Sequence, residues 1–247
     1  MDDRSFLSLF AQPKPILAML HLKGDTVAET DERMKREIDA YMNGGVDAVI
    51  VENYFGTYSA MCRALDYIRE QKLDVVLGIN CLNVDWVGVD LAARYNADFA
   101  QFDSVVGHVK PRDEESVAEF FRLARERFSG KILGGVRFKY QPMLSENDLV
   151  TDLGIAKTRC DAVCVTQDAT GQETSLAKIA EFRDGLGEFP LIVGAGVTPE
   201  NMREAFKLSD GAIVGSYFKD TYKDTGDVDP AHVAQIMDAV RSIRSEL

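Results

Sequence analysis

One pattern constrains this chain more than any other: a short apolar, β-branched run followed by a segment of helical periodicity, repeated eight times. The runs fall at 15–20, 47–52, 74–80, 98–103, 131–139, 161–166, 190–194 and 211–215. Each is apolar over nearly its whole length, as expected of a parallel strand covered on both faces rather than an antiparallel strand with one wet face. Between them lie amphipathic stretches, such as Met34, Ile38, Tyr41 and Met42, or Val117, Phe120, Phe121, Ala124 and Phe128. Asn43-Gly44-Gly45 closes the first helix, and Thr198-Pro199-Glu200 sets a capping hydroxyl before a proline at the start of the seventh. Eight β-α units in 247 residues fit an α/β fold of one kind, a single (β/α)8 TIM barrel. A doubly wound sheet would leave two or three strands without a place. The expected domain spans 1–247, with 1–13 as an N-terminal extension and the last helix at about 229–245.

With 28 Lys+Arg against 40 Asp+Glu, the net charge is −12, which opposes binding to a phosphate backbone and so excludes a nucleic-acid partner. Hydrophobic residues make up 46% of the chain, enough for a large core and too many for global disorder. Cys62, Cys81, Cys160 and Cys164 have neither zinc-knuckle nor thioredoxin spacing, so reduced thiols are expected. Met1-Asp2-Asp3-Arg4 is unlike a secretory start, and no apolar run is long enough to span a bilayer. The expected location is the cytoplasm, with no integral membrane segment.

In such a barrel the chemistry sits at the carboxyl ends of the strands. Val193-Gly194-Ala195-Gly196-Val197 after strand seven and Val214-Gly215-Ser216 after strand eight let backbone amides approach an anion, and a short helix following strand eight would aim its positive end there. Gly194, Gly196, Gly215 and Ser216 are therefore the expected phosphate site, with Thr170 and Gly171 of the strand-six loop as further contributors. The rest of the mouth is polar. Side-chain parity places Arg137 with Lys139 on one face of strand five and Gln101 with Asp103 on one face of strand four. Glu52, Asp103, Arg137 and Lys139 then form a ring of two negative and two positive charges, to be read either as a buried salt-bridge network or as catalytic machinery. His21 is the expected proton shuttle, Glu52 and Asp103 the candidate general bases, and Lys139 the group that polarises a carbonyl or anchors a phosphate. Asn53, Asn80, Arg137, Thr166 and Asp168 are the expected substrate contacts. His108, near Lys110, and His232 read as surface residues, Trp86 as packing or lid material, and Met34, Met42 and Met61 as core. Glu52 and Asp103 could instead collect a divalent ion with His21, but no HExxH, paired CxxC or EF-hand loop is present, so neither metal nor cofactor is expected.

Five segments taken in order carry a resemblance: Pro15-Ile16-Leu17-Ala18-Met19-Leu20-His21, Gly45-Val46-Asp47-Ala48-Val49-Ile50-Val51-Glu52-Asn53, Gly78-Ile79-Asn80, Val193-Gly194-Ala195-Gly196-Val197-Thr198-Pro199-Glu200-Asn201 and Asp210-Gly211-Ala212-Ile213-Val214-Gly215-Ser216. Together they resemble the BtpA family, which includes SgcQ-like proteins of sugar-utilisation gene clusters, over about residues 14 to 243. The resemblance implies a TIM barrel and a name drawn from photosystem I biogenesis, without a settled reaction. His21, Glu52, Asn53, Asn80, Lys139, Thr166, Gly171 and the glycines of the last two strands match the family. The chain departs from it in its short first loop, Leu22-Lys23-Gly24-Asp25, in the strand-three loop, which lacks a basic residue often seen there, and in Asp103, where asparagine is common. Two functions are expected on these grounds. One is an enzyme of isomerase/epimerase or aldolase/lyase type acting on a small phosphorylated metabolite such as a sugar or nucleoside phosphate. The other is a non-catalytic biogenesis or assembly factor, or a sensor of a phosphorylated ligand. Partner classes are that small ligand and, as an open alternative, further copies of the chain in a homo-oligomer.

Overall fold

The computed structural model describes residues 5–107, 113–141, 143 and 146–247. Its elements alternate as β1 (Ile16–His21), α1 (Val27–Gly44), β2 (Ala48–Glu52), α2 (Tyr58–Glu70), β3 (Val76–Asn80), α3 (Asp85–Arg94), β4 (Phe99–Phe102), α4 (Glu114–Arg127), β5 (Lys131–Gly135), α5 (Leu149–Lys157), β6 (Ala162–Val165), α6 (Leu176–Leu186), β7 (Leu191–Val193), α7 (Met202–Leu208), β8 (Gly211–Val214) and α8 (Pro230–Arg244). The strands close in sequence order into a parallel barrel, β8 pairing back onto β1 through Ile16↔Ala212. The expected fold is thus the observed one.

Alternate strand residues divide two cores, as a period of two requires. Leu17, Met19, Ala48, Ile50, Phe99, Leu133, Ala162, Cys164, Ile192 and Ile213 point into the barrel. Ile16, Ala18, Leu20, Val49, Val51, Val163 and Val214 point outward to the helix layer. A 3₁₀ turn at Phe6–Leu9 closes the amino-terminal end of the barrel: Phe6 is wholly buried, edge-on to Phe99 at 5.3 Å. The N-terminal extension is therefore part of the inner core.

At the same end, four aspartates repeat one device. Asp47, Asp98, Asp161 and Asp210 stand just before β2, β4, β6 and β8. Each donates its amide to the carbonyl of Ile16, Leu77, Ile132 or Leu191 on the preceding strand. Each also accepts that same residue's N–H on Oδ2, at 2.7–2.8 Å. The reciprocal pair leaves no other register for β1/β2, β3/β4, β5/β6 and β7/β8. Arg244, Arg125 and Arg183 reach the carboxylates of Asp47, Asp161 and Asp210 from the helix layer.

Helix boundaries obey their capping chemistry. Thr26 and Glu29 form a reciprocal capping box at α1, and Gly45 ends it in the left-handed region at φ 77°. Asp229 caps α8, with Pro230 in its first turn, close to the expected 229–245. Thr198 does accept the Asn201 amide, at 3.4 Å, but regular helix begins only at Met202. The four cysteines are free thiols, three of them buried. Among the described residues, no helix is long and apolar enough to cross a membrane.

Asp98→Ala removes the acceptor of the Leu77 amide. The expected cost is about 1.5–3 kcal/mol, the range for a hydrogen bond to a charged group, and Asp98→Asn should lose less. Urea unfolding midpoints of the two variants check the clamp, and an unchanged midpoint for Asp98→Ala would contradict it.

Candidate active site

The four-clamp register brings one layer of side chains level across half the barrel. His21 pairs with Glu52, Glu52 with Asn80, Asn80 with Gln101, and Gln101 with Leu133. The strands β1 to β4 thus contribute a buried polar arc, whereas β5 and β6 continue the layer with Leu133 and Ala162. Above the arc lies a cavity of about 520 Å³, into which Lys139, Asp103, Tyr54, Tyr140, Tyr217 and Tyr222 also project.

The arc is hydrogen-bonded in series. Asn80 Nδ2 donates to Glu52 Oε1 at 2.9 Å, and Glu52 Oε2 lies 3.4 Å from His21 Nε2. On the far side, His21 Nδ1 faces the Asp224 carbonyl at 3.4 Å. A carbonyl only accepts, so this contact assigns the proton to Nδ1 and leaves Nε2 as the acceptor. Burial holds the imidazole down, to about 3, with the Lys219 and Lys139 charges adding to the shift and Asp224 opposing it. Burial pushes the Glu52 carboxyl up, to about 8; Lys139 opposes the rise, Asp103 adds to it and the Asn80 amide opposes it. At neutral pH the pair is therefore a neutral imidazole facing a protonated acid. In the expected ring of charges, burial thus favours the uncharged form of Glu52.

Asp224 belongs to a strap between β8 and α8. Its carboxylate accepts from the Tyr54 hydroxyl at 2.8 Å, and burial with this bond raises Tyr54 to about 12. The strap is fixed by Lys219, whose buried ammonium donates to both oxygens of buried Glu37 in α1 at 2.9 and 3.0 Å. Arg33 also holds the Gly226 carbonyl at 2.6 Å. His232, expected at the surface, receives the Tyr222 ring in a stack at 4.5 Å and is half-buried.

The expected anion corner is assembled. Thr170, Gly171, Gly194, Gly196, Gly215 and Ser216 all border the cavity. A Cβ on Gly171 would lie 3.2 Å from Ser216 Oγ, so the β6 loop does meet the β8 loop. Three details differ from expectation. The Gly194 amide is committed to the Val165 carbonyl at 2.7 Å. The Thr170 amide donates to the Tyr140 hydroxyl at 2.9 Å. The chain leaves β8 in a 3₁₀ turn, Ser216–Phe218, too short to bring the field of a helix.

Strand five also differs. It ends at Gly135, and the chain turns so that Arg137, at φ 48°, leaves the barrel while Phe138 enters the inner core. Arg137 bonds the buried Asp152 carboxylate at 3.0 Å and the Asn147 carbonyl at 2.8 Å. The shared face of Arg137 and Lys139 is thus corrected, and only Lys139 lines the cavity. Arg137 and Asp168 border a neighbouring depression of about 740 Å³ beside α6. Thr166 is fully buried and accepts the Lys139 amide at 2.7 Å, which positions that loop. Asn53 clamps Leu82 through its amide and carbonyl, at 3.3 and 2.7 Å. His108 and Lys110 lie outside the described residues.

A model of the BtpA family matches residues 12–242. The chain belongs to the BtpA family. It is 29% identical to an uncharacterized protein of Pyrococcus horikoshii, covering 94% of this chain and 97% of the relative. It is 26% identical to the photosystem I biogenesis protein BtpA of Synechocystis, covering 94% and 89%. It is 25% identical to the putative sgc region protein SgcQ of Escherichia coli, covering 94% and 96%. Among solved structures, a native KDPGal structure superposes with a TM-score of 0.67 at 16% identity, covering 94% of this chain and 97% of the other. (S)-3-O-geranylgeranylglyceryl phosphate synthase from Thermoplasma acidophilum, in complex with its substrate sn-glycerol-1-phosphate, gives 0.63 at 14% identity with 96% of both covered. These likenesses establish the barrel.

The two shifted groups define a pH dependence for this BtpA-family site. Between about 4.5 and 6.5, folded and unfolded states each hold one proton on the His21–Glu52 pair, so its contribution to stability is flat. Above 6.5 the folded state keeps the Glu52 proton to about 8 while the unfolded pair has lost both, and stability falls as pH rises. Below about 4.5 the unfolded state binds more protons, because folded His21 takes none until about 3, and stability falls as pH drops. Glu52→Gln should abolish a loss of roughly 2 kcal/mol between pH 6.5 and 8. Urea unfolding at stepped pH checks this, and parallel profiles for variant and wild type would refute the raised carboxyl.

Proposed function

We propose that this BtpA-family chain is an enzyme acting on a small phosphorylated metabolite, a sugar or nucleoside phosphate, by proton-transfer chemistry of isomerase/epimerase or aldolase/lyase type. One observation carries the reading: buried His21 and Glu52, 3.4 Å apart and each pushed by burial toward its uncharged form, share one cavity with the glycine loops after β6, β7 and β8. An acid whose pKa is raised toward working pH suits giving a proton to a substrate and taking it back, with the neutral imidazole as its hydrogen-bond partner. In this reading the loop amides and Ser216 hold the phosphate, Lys139 offsets negative charge that develops on a substrate oxygen, and Asn80 keeps Glu52 oriented. The sn-glycerol-1-phosphate complex on the same fold is consistent with a phosphorylated ligand. Free cysteines are in keeping with a cytoplasmic setting.

The name of the photosystem I biogenesis relative motivates a second reading, a non-catalytic sensor of a phosphorylated ligand. Binding of phosphate esters without turnover would favour it.

Gly215 offers a cleaner probe of the anion corner than Gly196. A Cβ on Gly196, at φ 71°, would lie 2.3 Å from the Glu173 backbone, so substitution there displaces the β6 loop. A Cβ on Gly215 meets only Met19 at 3.5 Å and His21 at 3.9 Å, both ordinary contacts. Gly215→Ala should fold normally and weaken binding of phosphate esters by about tenfold. Lys139→Met, which keeps length and packing while deleting charge, should fold and lose turnover. The measurement is a thermal-shift screen of sugar and nucleoside phosphates followed by product analysis; saturating ligand should add roughly 2.7 kcal/mol at 100 times its dissociation constant. Full binding and turnover in both variants would refute the assignment.

A further inference from the structure

The imidazole of His21 meets an oxygen on each side, and a neutral ring has one proton to give. Its Nδ1 faces the Asp224 carbonyl and its Nε2 faces Glu52 Oε2, each at 3.4 Å. With the proton on Nε2, the Nδ1 lone pair would point at a carbonyl oxygen, two acceptors with no hydrogen between them. With the proton on Nδ1, both contacts are satisfied. Asn80 donates to Glu52 Oε1, which leaves Oε2 to carry the carboxyl proton toward Nε2. The choice of tautomer therefore depends on where the Asp224 carbonyl is held. Apart from His21, one side chain outside the strap reaches Asp224 among the described residues: Tyr54, which donates its hydroxyl to Oδ2 at 2.8 Å. The Tyr54 ring also lies against the imidazole, centroids 5.0 Å apart, and its carbonyl accepts the Leu22 amide at 3.2 Å. The next two strap carbonyls, of Thr225 and Gly226, are held by Lys23 at 2.7 Å and Arg33 at 2.6 Å. Other residues thus place the strap as a whole, and Tyr54 fixes Asp224 within it.

We infer that Tyr54 is a positioning residue: acting through Asp224, its hydroxyl keeps the His21 proton on Nδ1 and reserves Nε2 as the acceptor that faces Glu52. The inference rests on the proton-transfer reading above and deepens it. One side chain then controls the imidazole twice, its plane by ring contact and its tautomer by the bond to the strap. The Phe55 ring, edge-on to the imidazole at 6.1 Å, adds to the first of these. The opposite tautomer would present Glu52 with a second donor beside Asn80, and the carboxyl proton would have no acceptor in the pair. Holding Nδ1–H therefore gives the pair a single arrangement of hydrogens, with the acid proton directed along the arc and available at the cavity.

The test is nitrogen NMR of the imidazole rings in the free protein at neutral pH. His108→Gln and His232→Gln each remove the signals of one of the other two histidines, which assigns those of His21. Wild type should show a protonated Nδ1 and an unprotonated Nε2. Tyr54→Phe keeps the ring against His21 and deletes the donor, so the ratio of Nε2–H to Nδ1–H should rise about tenfold. Asp224→Ala, which removes the latch from its other side, should do the same. Asp224→Asn leaves an acceptor for the Tyr54 hydroxyl and should keep the wild-type signals. A Tyr54 that serves only the fold predicts a lower urea midpoint for Tyr54→Phe with the tautomer unchanged, and that result overturns the inference. So does an Nε2–H ring in wild type, or an Asp224→Asn ratio as high as that of Asp224→Ala. Because no ligand is present, the outcome is separate from that of the proposed function. Nδ1–H in wild type and its loss in Tyr54→Phe, with no phosphate ester bound or turned over, would refute that function and leave the latch standing.

Discussion

Everything at the mouth of this barrel depends on four reciprocal hydrogen-bond pairs at its opposite end. Asp47, Asp98, Asp161 and Asp210 each exchange two bonds with the first residues of the preceding strand, which fixes the stagger of every odd–even strand pair. Side chains in a strand alternate, so a slip of one residue in any of those pairs would turn a whole strand face inside out. The clamps hold His21 level with Glu52 and Asn80 level with Gln101, and the β2/β3 ladder joins the two halves at Glu52↔Asn80. The register that puts Leu17, Ala48 and Phe99 in the inner core also lifts those four polar residues to the layer that borders the cavity.

The polar arc and the glycine loops divide the mouth between them. Strands β1 to β4 supply the polar arc, and the loops after β6, β7 and β8 bring glycines to the cavity, with Lys139 entering from the β5 loop. Burial is the dominant cause of both large shifts, and it drives Glu52 and His21 toward the same uncharged condition from opposite sides. An ion pair in that position would need further donors around the carboxylate and further acceptors around the imidazolium. The neutral pair needs only Asn80 on one side and the Asp224 carbonyl on the other. The Glu37–Lys219 pair illustrates the contrast, since there an ammonium meets both carboxylate oxygens and the Val228 amide and Arg33 Nε each donate as well, at 3.3 Å.

Much of this was legible in the sequence, for reasons that particular residues make plain. Continuous apolar runs announced buried parallel strands, parity put Gln101 with Asp103, and the last residues of the runs put His21 and Glu52 at the mouth; all four border the cavity. Strand five misled because Val136 and Phe138 are as apolar and as buried as strand residues. Periodicity registers burial and says nothing of the turn after Gly134-Gly135 that carries Phe138 into the core and Arg137 out. The Asp224 contact had no sequence signal at all: it comes from a strap with neither helical nor strand period, joined to His21 across 203 positions. The aspartate clamps stood in view at the starts of three of the runs and in Asp210-Gly211, yet their function appears only when both bonds to one neighbouring residue are seen together.

Stability and chemistry are therefore separated along the strand axis. The amino-terminal end carries the clamps and the Phe6 plug, where nearly every polar group is paired. The carboxyl-terminal end carries features that oppose stability: a carboxyl that burial pushes up to about 8 and an amide oxygen without a donor. Each of those costs on the order of one to a few kcal/mol, and none improves packing. They are tolerated at one end because the other end over-determines the fold. A folded scaffold alone would gain by replacing Gln101 and Glu52 with apolar side chains of similar volume, as the same barrel layer does at Leu133 and Ala162. That β1 to β4 instead keep four polar side chains in one layer, three of them bordering a cavity lined on its far side by glycine loops, is the physical argument for a bound polar ligand rather than for architecture.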